Sequence, residues 1–96
     1  MFDEGVRITG PLFNAVCCCE TGGEGAKIGF AVGRAAGNAV ARNRIRRRLR
    51  EAVRLHLGEL GSGWRVVFTP RRALLDAEFG EVEGEVVRVF RRCGNR

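Results

Sequence analysis

The chain has 96 residues, enough for one domain whose core buries roughly 60–70% of the surface that the unfolded chain exposes. Apolar residues at 45% and charged residues at 29% are those of an ordinary folded domain. No apolar run reaches the roughly 18 residues of a membrane-spanning helix, and the acidic start at Asp3 and Glu4 lacks the pattern of a signal peptide, so the expected compartment is the cytoplasm.

Residues 6–19 hold β-favouring positions around a Gly10-Pro11 turn, which predicts one strand at Val6–Thr9 and a second at 12–19. Three of the four cysteines, Cys17, Cys18 and Cys19, lie in the second strand, with Cys93 far along the chain. Three thiols in a row have no zinc-ligand spacing, so they read as small apolar strand residues of a reducing compartment, not as a metal or redox site. A glycine-rich turn at 22–25 leads to a third strand at 27–33, on which Ile28, Phe30 and Val32 share a face. Consecutive strands with short turns predict an antiparallel meander.

Gly37-Asn38 ends the sheet pattern, and Asn38 has the side chain of a helix N-cap. A helix is predicted over 39–57, with Ala41, Ile45, Leu49, Ala52 and His56 on one apolar stripe and Val53 at its margin. Gly58 and Gly61 end it. A fourth strand follows at 64–69, closed by Pro70. Leu75, Phe79, Val82, Val86, Phe90 and Cys93 then recur at steps of three or four, the pattern of an amphipathic C-terminal helix. Gly80 and Gly84 weaken that helix by about 1 kcal/mol each relative to Ala, while early Glu81, Glu83 and Glu85 and late Arg88, Arg91 and Arg92 suit its dipole.

The charge is concentrated in the central helix. Residues 42–54 carry seven arginines and a single acid, Glu51, a net +6 that equals the charge of the whole chain and leaves the remainder neutral. Arg42, Arg46, Arg50 and Arg54 run at four-residue steps along one side, bordered by Asn43 and Arg47, with Arg44 and Arg48 beyond the apolar stripe. A solvated helix face normally mixes signs, because like charges four apart cost roughly 0.2–0.5 kcal/mol per pair. An unrelieved row of guanidinium groups is the footprint of a polyanion-binding surface. Asn43, which donates and accepts, suits the reading of shape at a phosphate or a 2′-hydroxyl.

Nothing in the sequence points to a catalytic polypeptide. The acids are scattered, there is no Gly-x-Ser-x-Gly or phosphate-loop motif, and the one histidine, His56, falls on the apolar stripe and reads as a packing residue rather than a general base. Trp64 reads as a core or edge residue, with base stacking the alternative, and Arg65, Arg71 and Arg72 are candidates to extend the basic surface.

Gly37-Asn38-Ala39-Val40, then Arg42-Asn43-Arg44-Ile45-Arg46-Arg47 and Leu49-Arg50-Glu51, resemble the signature of the bacterial ribonuclease P protein component, here following a Gly-Phe-x-Val strand at Gly29-Phe30-Ala31-Val32. The match is dense over 27–54 and looser but collinear over 2–13 and 64–92. The resemblance implies an α+β fold, a small α/β sandwich like the second domain of the fifth small-subunit ribosomal protein. It has an antiparallel-rich central sheet of about four strands, a basic central helix in a left-handed crossover and a C-terminal amphipathic helix. The whole of 1–96 then forms one RNA-binding domain.

The resemblance further implies two partners, a catalytic RNA subunit and precursor tRNA, whose 5′ leader the assembly removes with magnesium held by RNA; it implies no cofactor on the protein and no membrane. Arg34, Asn38, Arg42, Asn43, Arg44, Arg46, Arg47, Arg50 and Arg54 are the residues it assigns to RNA. Phe2, Phe13 and Val16 are those it assigns to a shallow leader cleft on the sheet. The sequence departs from the family pattern in four places. The family's basic N-terminal helix is largely missing, its second cleft aromatic is Val16, a neighbouring apolar position is Asn14, and its Ser-Lys-Lys is Gly33-Arg34-Ala35, one cation short. The alternatives are a ribosomal, RNA- or DNA-binding module without an enzymatic complex, and an independent metal-dependent nuclease.

Overall fold

Alternation of apolar and polar residues builds the sheet, and a 3.6-residue apolar stripe builds each helix. The structure, a computed structural model, describes residues 5–19, 27–60 and 63–94. Its elements are strands β1 (Val6–Thr9), β2 (Phe13–Cys19) and β3 (Lys27–Phe30), helix α1 (Ala39–His56), strand β4 (Trp64–Pro70) and helix α2 (Phe79–Gly94), with short 3₁₀ turns at Arg34–Ala36, Leu57–Glu59 and Arg72–Asp76. The glycine-rich turn at 22–25 lies outside the described residues.

The sheet order is β1-β2-β4-β3. β1 and β2 pair antiparallel, as do β2 and β4, whereas β3 lies parallel to β4. The predicted meander is therefore corrected at its third strand: β3 does not turn back onto β2, and β4 is inserted between them. A parallel neighbour needs a long crossover, which α1 supplies. Short strands separated by glycine look alike in sequence whichever neighbour they choose.

Register sorts the side chains into two faces. Ile8, Phe13, Ala15, Cys17, Val66 and Phe68 are buried on the helix side, where Phe68 meets Phe13 edge-on at 5.1 Å between ring centres, stacks on Phe30 at 5.9 Å and touches Phe90 of α2 at 6.2 Å. The opposite, open face carries Arg7, Thr9, Asn14, Val16, Cys18, Lys27, Gly29, Arg65, Val67 and Thr69. Trp64 lies on the helix side, packed against the core.

Ile45, Leu49, Ala52 and Val53 of α1 join that core, and burial of Ile45 and Leu49 contributes about 1.5–3 kcal/mol each. His56 is half-buried, and its Nε2 meets Glu83 Oε2 of α2 at 2.9 Å. The C-terminal helix starts later than its apolar steps suggest. Leu75 sits half-buried in the preceding 3₁₀ turn while Leu74 fills the core, and Glu81 Oε1 accepts from the Glu78 amide at 3.1 Å to cap the new start.

Cys17 and Cys93 are bonded, tying β2 to the last turn of α2 across 76 residues, with their Cα atoms 6.3 Å apart. This corrects, for Cys17, the reading of the three strand cysteines as small apolar residues of a reducing compartment. The pairing is a tertiary property: each cysteine sits on the buried side of its own element, and only the packing of α2 on the sheet brings them together. Chain entropy for so long a loop makes such a bond worth about 2–4 kcal/mol.

Two predictions follow from these elements. Mass spectrometry of unreduced protein should recover Cys17 and Cys93 as one linked peptide pair, and reduction should lower the melting temperature by on the order of 10 °C. A Cβ at Gly80 or Gly84 meets nothing within 4 Å, so Gly80→Ala and Gly84→Ala should each stabilise the protein by about 0.5–1 kcal/mol in a denaturant melt.

Candidate nucleic-acid interface

The basic helix is set in place at its first turn. Gly37 adopts φ 132°, and a Cβ there would lie 2.8 Å from Arg72 Nη1 and 2.9 Å from the Ala41 Cβ, so glycine is required both by conformation and by space. Asn38 is extended, and its Oδ1 accepts from the Ala41 amide at 2.9 Å, the predicted N-cap. With the stripe from Ile45 to Val53 buried, the opposite side of α1 has no choice but to face outward.

The seven arginines divide into three groups. Arg48 is structural: it donates to the carbonyls of Leu75 at 3.3 Å and Ala77 at 2.6 Å, fastening the 72–76 turn to the helix. Arg54 grips Glu51, Nη2 to Oε2 at 2.5 Å and Nε to Oε1 at 3.2 Å. That hydrogen bond holds the Glu51 carboxyl below its ordinary range and pushes Arg54 up. The pairing of these two exposed groups is in place throughout and above the ordinary carboxylate range and lapses only as pH falls below it, through the lowered range of Glu51. Arg42, Arg44, Arg46, Arg47 and Arg50 form the third group. Among the described residues no carboxylate pairs with any of them.

The remaining ion pairs lie elsewhere: Glu85 with Arg88, and Glu59 with Arg91. Arg42 and Arg46 are half-buried at the edge of the stripe, and the buried Nε of Arg42 has no partner. Arg44, Arg47, Arg50 and Asn43 are exposed, and Val40, 65% exposed, stands four and seven residues before Arg44 and Arg47. A recess of about 530 Å³ lies between Arg44, Arg47, Arg48, Leu75 and Asp76. Arg34 is exposed in the 3₁₀ turn before Gly37.

Of the two arginines that follow β4, Arg72 extends this surface and Arg71 turns to the open face of the sheet. Arg72 lies over Gly37 beside the first turn of α1. Arg71 donates through Nε to the Gly10 carbonyl at 3.2 Å and through Nη2 to Asn14 Oδ1 at 2.8 Å. In the sequence they are only two more arginines after a strand; Arg72 comes to the helix with the 72–76 turn that Arg48 holds, and Arg71 is held at the end of the sheet by Gly10 and Asn14.

The sheet residues assigned to a cleft do not stay together. Val16 is half-buried on the open face, beside Arg7 of β1 and Val67 of β4. Phe13 is 1% exposed on the helix side, in the core with Phe68, so it does not line the open face. Its odd position on β2 puts it on the face opposite Val16, and a resemblance aligned residue by residue carries no such distinction. Phe2 lies outside the described residues. Among the described residues no three His, Cys, Asp or Glu side chains converge as a metal site, and no helix is long and apolar enough to cross a membrane.

The family model for ribonuclease P matches residues 1–94. The chain belongs to the ribonuclease P protein family. The fold is similar to that of the ribonuclease P protein from Thermotoga maritima, at 25% identity over 95% of this chain and 86% of that one, with a TM-score of 0.82. The same Thermotoga protein in complex with 1-(4-fluorophenyl)-2-thiourea matches with a TM-score of 0.81, at 25% identity over 95% and 88% of the two chains. The Staphylococcus aureus ribonuclease P protein, at 21% identity over 92% and 83%, shares the fold with a TM-score of 0.76. No curated sequence relative matches at a significant level. As a ribonuclease P protein, the chain is a subunit of an endoribonuclease holoenzyme that acts in tRNA processing.

The three groups of arginines are separable by experiment. Arg46→Ala and Arg50→Ala should each lower the slope of log affinity for RNA against log salt by about 0.7–0.9. Arg48→Ala should instead cost about 1–3 kcal/mol in a denaturant melt, since it strips two carbonyls of their partner, with the slope little changed. Glu51→Gln should instead tighten RNA binding with the slope little changed, because Arg54 no longer gives up a carboxylate to reach phosphate.

Proposed function

We propose that α1 docks against folded RNA, the catalytic RNA subunit of ribonuclease P, through Arg42, Asn43, Arg44, Arg46, Arg47 and Arg50. Arg34 and Asn38 flank the contact and Arg54 joins it by exchanging Glu51 for phosphate. The observation that carries this reading is the row of cations that find no carboxylate partner among the described residues, held outward by the buried stripe beneath it. Phosphates supply what the protein withholds, and release of their counterions drives association. Arg forks suit bidentate phosphate contacts, so Arg42→Lys weakens binding where the charge alone would not.

The open face of the sheet, with Val16 and Val67 flanked by Arg7 and Lys27, is the surface we assign to the 5′ leader of precursor tRNA. The polypeptide contributes position and charge. Its described donor set does not fit a magnesium site, having no converging carboxylates, and no step of the hydrolysis is assigned to it. The ion belongs with the RNA. The assembly's place is the cytoplasm, where tRNA precursors are processed.

Reconstitution with a bacterial ribonuclease P RNA and precursor tRNA tests this. The expected result is multiple-turnover removal of the leader at low magnesium, strictly dependent on the RNA subunit. Cleavage by the protein with magnesium alone would make it a nuclease in its own right. Tight RNA binding with no gain in processing would make it a binding module outside the holoenzyme.

A further inference from the structure

The end of the sheet where β3 and β4 both finish carries a feature that the α1 interface does not use. A recess of about 310 Å³ opens there, bounded by Asn14, Thr69, Arg71, Arg72, Gly33 and Ala35 among others. It lies at the carboxyl ends of two parallel strands, beside the start of the following helix, the place where α/β sheets present ligand sites. Arg71 forms one wall and is not free to swing. Its amide donates to the Leu12 carbonyl at 2.9 Å, its Nε to the Gly10 carbonyl at 3.2 Å and its Nη2 to Asn14 Oδ1 at 2.8 Å. Nη1 takes part in none of these bonds.

The open face leading to this recess has a particular chemistry. Among the described residues it bears no aromatic side chain: Phe13, Phe30, Trp64 and Phe68 all point to the helix side. It does carry Arg7 and Lys27, and at the recess it meets Arg71, with Arg72 reaching on to the first turn of α1. A strand of RNA crossing such a face finds cations for its phosphates.

We propose that Asn14 is a positioning residue that holds the Arg71 guanidinium at the rim of this recess to take a backbone phosphate of the single-stranded leader. The inference rests on the assignment of the open face to the leader. Asn14 acts through Arg71: its carbonyl oxygen, in register with Thr9 and Thr69 on the open face, fixes one edge of the guanidinium and leaves the other for the anion. A preoriented cation loses less side-chain entropy on binding than one that must be ordered.

The test uses the holoenzyme reconstituted with a bacterial ribonuclease P RNA, and compares its affinity for precursor tRNA carrying a short leader with that for the same tRNA without one. Arg71→Ala and Asn14→Leu should each reduce the leader-dependent gain by about tenfold and lower its salt slope by about 0.7. The double variant should lose no more than Arg71→Ala alone, which a merely structural role for Asn14 would not produce. Arg71 lies on an exposed turn, so its variant keeps the test alive should Asn14→Leu disturb β2. A leader gain in the wild type that neither variant reduces, or losses that add in the double variant, would overturn the proposal. Absence of any leader gain in the wild type would instead remove the assignment of the open face on which it rests.

Discussion

The burial of one stripe of α1 is the constraint from which the rest of the molecule follows. Ile45, Leu49, Ala52 and Val53 share a single core with Phe68, Phe90 and the valines of α2. Because a helix has only one side to give, their burial forces the arginines at the other positions into solvent. The like-charge repulsion along that side is a standing cost that apolar burial outweighs. Salt screens it in part, and a bound polyanion would relieve it. The helix is thus stable as a folded element and electrostatically incomplete as a surface, and the same residues make it both.

The internal cations show how selective that incompleteness is. Arg48 is spent on the carbonyls of Leu75 and Ala77, Arg54 on Glu51, Arg88 on Glu85, and Arg91 on Glu59. Most described acids that pair at all pair away from the exposed face of α1. Arg48 also has a consequence beyond its own bonds. By holding the 72–76 turn on the helix it brings Arg72 over Gly37, so one buried-edge arginine assembles two basic segments that are distant in sequence. Gly37 admits that approach because it has no side chain, and its positive φ sets the direction in which α1 leaves the sheet.

Much of this was legible beforehand. The apolar period of α1, the Asn38 cap, the breakpoints at Gly10-Pro11 and Pro70 and the acid-to-base gradient of α2 are local patterns, and β1, β2, α1 and β4 formed within a residue or two of their expected places, whereas β3 ends three residues early and α2 starts four residues late. Beside the pairing of β3 and the bond of Cys17 to Cys93, two further readings give way to packing. The step from Leu75 to Phe79 continues the helical spacing, but the chain makes a 3₁₀ turn there and puts Leu74 into the core in place of Leu75. Phe13 was aligned to a cleft by likeness, whereas strand parity places it among the core rings.

The sequence by itself determined which segments would be strands and helices, that the chain's charge would lie on one helix, and which signature that helix carries, because propensity, periodicity and charge are properties of neighbouring residues. Only the tertiary structure decided that β4 would separate β2 from β3, that Cys17 would bond Cys93, that Arg48 would be structural and that Arg71 would be pinned by Asn14. Each of those joins groups far apart along the chain, and their proximity arises from the packing of two helices on one face of a sheet, which no local pattern encodes.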